Sequence, residues 1–209
     1  MSKLRVRYLF FVLIVLLVTI FFIEFLCINS YIESMFQYTN SEIKNNALNN
    51  ELREFKFLLL DTFLFLFLQS LGMFFCLNIG LLCFDIKVKI KNIVQLIILS
   101  SFAIIIYQFL TILIIKINGW TFTVGSINSV SEKLSIANYV YLGKTISWTK
   151  LSLSSINLFQ LLTITLLTIG IHKILLLNYK RAFFITLRTY GIGILLWFVF
   201  AMVMEMNFG

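Results

Sequence analysis

Proline is missing from this chain, histidine occurs once, and only 12% of the 209 residues are charged. Each shortage excludes something. About a quarter of a soluble globular domain is charged, so half that share argues against a water-soluble fold. A single histidine leaves no HExxH zincin and no His-paired metal site. No Walker loop and no GxGxxG stands anywhere in the sequence. The three cysteines, Cys27, Cys76 and Cys83, make no CxxC and no Cys/His cluster, so neither a disulfide framework nor a zinc site is expected. They read as small hydrophobes within apolar runs. No metal, cofactor or catalytic residue is expected, and the chain reads as a non-enzyme. Without proline, any helix kink falls to glycine, serine or a π-bulge.

What the chain has is apolar length. It is 60% hydrophobic, with a mean hydropathy of +0.98. The apolar residues form continuous runs of about 20, as membrane-spanning helices require, rather than the short alternating segments of a transmembrane β-barrel. The expected fold is all-α: a single-domain integral membrane bundle with spans at about 8–28, 57–84, 92–115, 155–177 and 182–206. Two polar stretches, 29–56 and 116–154, separate the first span from the second and the third from the fourth.

The start, MSKLRVRYLFFVLIVLLVTIFFIEFLCINS, imitates a signal peptide. Its apolar body is long enough to span, and no small-x-small cleavage site follows, so a retained signal-anchor helix is expected. Phe25 and Leu26 are too large for a lipobox at Cys27. In 41–56, Ile43, Ala47, Leu48, Leu52 and Phe55 recur close to helical spacing. This predicts an amphipathic helix, N-capped by Asn40 or Ser41, that runs into the second span. The second polar stretch predicts a short helix around Ser131–Tyr141, with Trp120, Tyr139, Tyr141 and Trp148 as interfacial anchors.

Charge sets the expected orientation. Lys3, Arg5 and Arg7 flank the first span, Lys87, Lys89 and Lys91 fill the second turn, and Lys173, Lys180 and Arg181 sit at the fourth. With five spans these positions share one side. The other side spreads its basic residues over the long stretches and mixes them with glutamates. By the positive-inside rule the N-terminus is cytoplasmic, and the C-terminus and both long stretches are extracytoplasmic. The net charge of +8 therefore reads as orientation and anionic-lipid contact, with no nucleic acid among the partners.

Ionisable residues inside spans are functional candidates by default. Here they are Glu24, Asp61, His172 and Arg188. Glu24 and Asp61 read as wetted carboxylates one turn from the outer interface, or else as an ion or proton site. His172 and Lys173 lie one turn from the inner end of the fourth span, where both can snorkel. Arg188 either snorkels, neighbours His172, or joins a polar path. Glu205 reads as interfacial. Gln69, Asn78, Gln95, Gln108 and Gln160 are expected to bond across helices, and Gly72, Gly80, Gly170, Gly191 and Gly193 to admit close helix approach.

The last third carries a pattern: Ser152-Leu153, then Asn157-Leu158-Phe159 opening a helix, Leu166 to Gly170, and a short basic turn Lys180-Arg181-Ala182. Over about 50 residues this resembles the Yip family, membrane proteins first known for interacting with Rab GTPases. The five-span layout with a cytosolic N-terminus is similar too. The eukaryotic relatives' N-terminal GTPase-binding region has no counterpart in the seven residues before the first span. The resemblance thus implies a bacterial relative, placed in the cytoplasmic membrane. Some such proteins accompany ABC exporters and their adaptors. It also implies family-motif roles for Asn157, Phe159, Gly170, Lys180, Arg181 and Ala182. The functional expectation is an accessory or scaffolding subunit bound to other membrane proteins. The alternative is a small transporter or channel using Glu24, Asp61, His172 and Arg188.

Overall fold

The computed structural model describes residues 3–35, 41–136, 138, 153 and 156–208. Every named element is a helix: α1 (Lys3–Met35), α2 (Ser41–Cys83), α3 (Ile90–Ile117), α4 (Val124–Lys133), α5 (Leu158–Leu175), α6 (Tyr179–Thr186) and α7 (Ile192–Phe208). A π-helical turn, Leu187–Gly191, joins α6 to α7 without breaking the rod. Five helical segments are long and apolar enough to cross a membrane. The chain is an integral membrane protein whose fold is all-α.

Burial runs opposite to a soluble protein. Phe10, Phe11, Phe22, Phe67, Leu196 and Trp197 are exposed, while Glu24, Gln95, Ser100, Thr163, Thr168 and Thr186 are buried. Lipid takes the apolar faces, so polar groups can stay only where another helix covers them. The buried threonines satisfy themselves locally: Thr163, Thr168 and Thr186 donate to the carbonyls four residues back at 2.9, 2.8 and 3.0 Å.

The central helix is α3, packed against α1, α2, α4 and most extensively α5. Two apolar clusters flank it. One joins Leu17, Phe21 and Ile28 of α1 to Phe55 of α2, Ile104 of α3, Val124 of α4 and Phe159 of α5. The other joins Met73, Leu77 and Leu81 of α2 to Leu96 of α3, Leu167 and Ile171 of α5, and Ala182 and Ile185 of α6.

Helix lengths depart from the expected spans in an informative way. α2 has 43 residues, about 65 Å at 1.5 Å per residue, against a hydrocarbon core of about 30 Å. Its amphipathic start and its span form one continuous helix, as expected; Asn40, the other cap candidate, lies outside the described residues. α1 also continues to Met35, so most of stretch 29–56 is helix. These projecting turns and α4 make a head on one side of the bundle.

A helix not expected from the sequence runs over Val124–Lys133; of the helix expected around Ser131–Tyr141, Ile136 and Asn138 are also helical, while 137 and 139–141 lie outside the described residues. The start of α4 is set by a capping box: Thr123 Oγ1 accepts from Ser126 N–H at 3.2 Å, and Ser126 Oγ accepts from Thr123 N–H at 3.0 Å. A serine in place of the usual Glu or Gln at the third position hid this start from pattern reading. Glu51 of α2 adds a tertiary cap, accepting from Val124 N–H at 3.2 Å. Lys133 stacks over Trp120, with Nζ 3.8 Å from the ring centroid. The other expected anchors, Tyr139, Tyr141 and Trp148, lie outside the described residues. Past α4, an antiparallel bridge pairs Ser135 with Asn157 and ties this segment to the entrance of α5.

Close approaches use three of the five nominated glycines. A Cβ on Gly170 would lie 2.7 Å from Leu96, and one on Gly193 2.5 Å from Cys76 Sγ; one on Gly80 would overlap Thr189. Gly72 faces open space and Gly191 makes only ordinary contacts, so neither admits a neighbouring helix.

Candidate functional site

The four nominated ionisable residues do not come together. Glu24 and Asp61 lie on the head side, His172 and Arg188 at the opposite end. His172 is exposed. Its Nδ1 lies 2.6 Å from the Leu177 carbonyl, and its ring meets Tyr179 edge-on at 6.0 Å. It therefore closes the α5–α6 turn. Arg188 is exposed too, with its guanidinium 5.9 Å from the centre of the Phe84 ring. The anticipated His172–Arg188 neighbourhood is absent from the described contacts, because each residue faces outward and finds its own aromatic partner.

Glu24 departs from the wetted-carboxylate expectation. It is 2% exposed, and its Oε2 has no hydrogen-bond partner among the described residues. It lines a cavity of about 140 Å³ beneath α4, between α1, α2 and α3. The polar wall is Thr62, Tyr107, Gln108, Thr111 and Asn128; Leu58, Ile104 and Ile127 complete it. Gln108 Oε1 is also buried without a partner among the described residues. Asp61 is exposed and lines a neighbouring cavity of about 260 Å³ that shares Thr62, Ile104 and Tyr107 with the first. The two carboxylates nominated from sequence thus occupy adjoining cavities, which one-dimensional spacing did not reveal.

Tyr107, Gln108, Thr111 and Asn128 were not recognised as site residues. A signal existed: Tyr107, Gln108 and Thr111 put three polar groups within five residues of an apolar span. Their convergence on Glu24 depends on helix rotation, and Asn128 arrives from α4.

A second polar assembly crosses the bundle. Gln69 Nε2 donates to the Tyr190 hydroxyl at 3.1 Å, and that hydroxyl donates to Gln160 Oε1 at 2.6 Å. Gln69 and Gln160 therefore bond across helices as expected, through a tyrosine the π-turn presents. The expectation fails for others. Asn78 bonds its own helix at the Phe74 carbonyl, 2.8 Å away. Both polar side-chain atoms of Gln95 are buried without a partner among the described residues.

The residues carrying the family resemblance have structural work. Asn157 N-caps α5, its Oδ1 accepting from Gln160 N–H at 3.2 Å. Phe159 packs between Phe65 and Tyr107, with centroids at 5.7 and 6.0 Å. Gly170 admits Leu96, and Ala182 is fully buried. Lys180 and Arg181, expected in a basic turn, are exposed in the first turn of α6, just past the α5–α6 turn. Among the described residues no group of three or more His, Cys, Asp and Glu is arranged to hold a metal ion.

No family model, no curated protein and no solved structure matches the chain.

Proposed function

We propose that this protein is a non-enzymatic, Yip-like accessory or scaffolding subunit of a membrane complex, with an ABC exporter and its adaptor as the candidate partners. The observation that carries the reading is the head. The projecting part of α2 exposes Asn45, Asn46, Asn49, Asn50 and Arg53 along one face, while its other face buries Phe55 and half-buries Leu48. Amides both donate and accept, so this row offers a partner a polar surface with little charge to desolvate. Glu51 holds the row against α4.

The reading includes an orientation: N-terminus cytoplasmic, C-terminus and head extracytoplasmic, in a bacterial cytoplasmic membrane. The basic residues of the short turns support it. Purification from the native membrane in mild detergent, followed by mass spectrometry, tests the function. A stoichiometric permease or adaptor supports it, and a partnerless protein counts against it. Changing Asn45, Asn46, Asn49 and Asn50 together to serine should weaken partner retention.

A second reading, a small transporter, is favoured by buried Glu24 and its cavity. A channel-like path through all four nominated residues has less support, because His172 and Arg188 face outward at the far end.

A further inference from the structure

The Glu24 cavity gathers several side-chain oxygens, beside the donors of the Tyr107 hydroxyl and the Gln108 and Asn128 amides. Glu24 is buried with Oε2 unpartnered among the described residues, and so is Oε1 of Gln108. The Thr62 and Thr111 hydroxyls give their protons to the Leu58 and Tyr107 carbonyls at 2.8 and 3.0 Å. Each oxygen therefore turns only lone pairs to other neighbours. Among the described residues, no Lys, Arg or His lines the cavity. A buried, uncompensated carboxylate is strongly unfavourable. It persists where a proton or a cation neutralises it.

Several oxygen acceptors converging on one space suit a hard cation. A single carboxylate matches a single positive charge. Calcium sites usually gather 6–8 oxygens, with several carboxylates among them. Magnesium keeps strict octahedral geometry and most of its waters. The cavity's volume accommodates a small ion with a few remaining waters. We propose that Glu24, Gln108, Thr62 and Thr111 form a binding site for an alkali-metal cation. Asn128 brings α4 to the rim, so occupancy at the membrane end of the bundle bears directly on the helix that holds the head. The site stands apart from the accessory reading: it serves a lone transporter or a partnered subunit equally, and its test needs no partner.

The experiment is thermal unfolding of the detergent-purified full chain at pH 8, in NaCl, KCl or choline chloride at equal ionic strength. The expected result is a saturable rise in Tm of about 5 °C in one or both alkali salts over choline. Glu24→Gln should abolish the rise, and Glu54→Gln, an exposed carboxylate on α2, should retain it. Should Glu24→Gln fold poorly, Thr111→Val keeps the carboxylate and should still weaken the salt response several-fold. Equilibrium dialysis with radioactive sodium, or rubidium standing in for potassium, reads binding directly. Equal Tm in all three salts with no ion retained overturns the proposal, as does an undiminished alkali response in both variants. Stabilisation by acid alone, without an alkali effect, would assign Glu24 to a proton and overturn it as well.

Discussion

The Tyr190 hydroxyl donates to Gln160 Oε1 across 2.6 Å, joining the π-turn of the last span to the first turn of α5. The same hydroxyl accepts from Gln69 of α2, so one phenol holds three helices. A π-turn is an insertion that rotates the following helix. Here it turns Tyr190 inward, and the two glutamines find their partner on it.

Removing that hydroxyl leaves two amides short of a bond. Tyr190→Phe should destabilise the fold by about 1 kcal/mol, in line with interhelical hydrogen bonds in membranes. A double-mutant cycle with Gln160→Leu, read by reversible unfolding in mixed micelles, should show coupling. Strict additivity of the two changes would mean that the bond contributes nothing.

Gly80 and Gly72 lie two turns apart on α2 and should respond oppositely to alanine. At Gly80 the new methyl meets Thr189, whose backbone is itself close; Gly80→Ala should cost about 1–3 kcal/mol, as overpacking does. At Gly72 nothing stands in the way, and Gly72→Ala should be neutral or raise stability by helix propensity. Equal thermal shifts for both variants would contradict this close approach.

Leu176 ends α5 in the left-handed region, at φ 54° and ψ 34°, with 89% of its surface exposed. A leucine there carries strain of about 1–2 kcal/mol and little packing to offset it. Leu176→Gly should raise the thermal midpoint, and Leu176→Val should lower it. The His172 contact with the Leu177 carbonyl should persist in the glycine variant, visible as an unchanged imidazole NMR signal.

Glu51 fixes α4 from outside its own segment. Glu51→Ala removes the acceptor for Val124 N–H and should cost about 1 kcal/mol, the size of a helix-cap loss. Hydrogen exchange should accelerate across Val124–Lys133 while α3 stays protected. Unchanged exchange in α4 would mean that Thr123 and Ser126 alone suffice.

The buried Gln95 offers a gain instead. Its amide is enclosed with no partner among the described residues, and such groups are expensive to bury. Gln95→Met keeps the volume and removes that cost. The expected result is a higher thermal midpoint; a lower one would indicate a bond made outside the described residues.

Helix type and number were legible because hydropathy over about 20 residues is a local property, and lipid leaves the backbone few alternatives to helix. The amphipathic start of α2 was legible for the same reason: the spacing from Ala47 to Phe55 needs no neighbour to be read. The α4 start was missed because Ser126 replaces the expected acidic or amide residue of the capping box.

The candidate site divides along the same line. The sequence by itself determined that Glu24, Asp61, His172 and Arg188 are costly inside a membrane, since charge and hydropathy belong to each residue alone. Only tertiary structure decided that Glu24 is buried beside Gln108 while Asp61 faces a neighbouring cavity and the other two face outward. That outcome depends on how α1, α2 and α3 are rotated, where α4 caps them, and which glycines let the helices close. Those are properties of contacts between segments far apart in the chain, and no run of residues contains them.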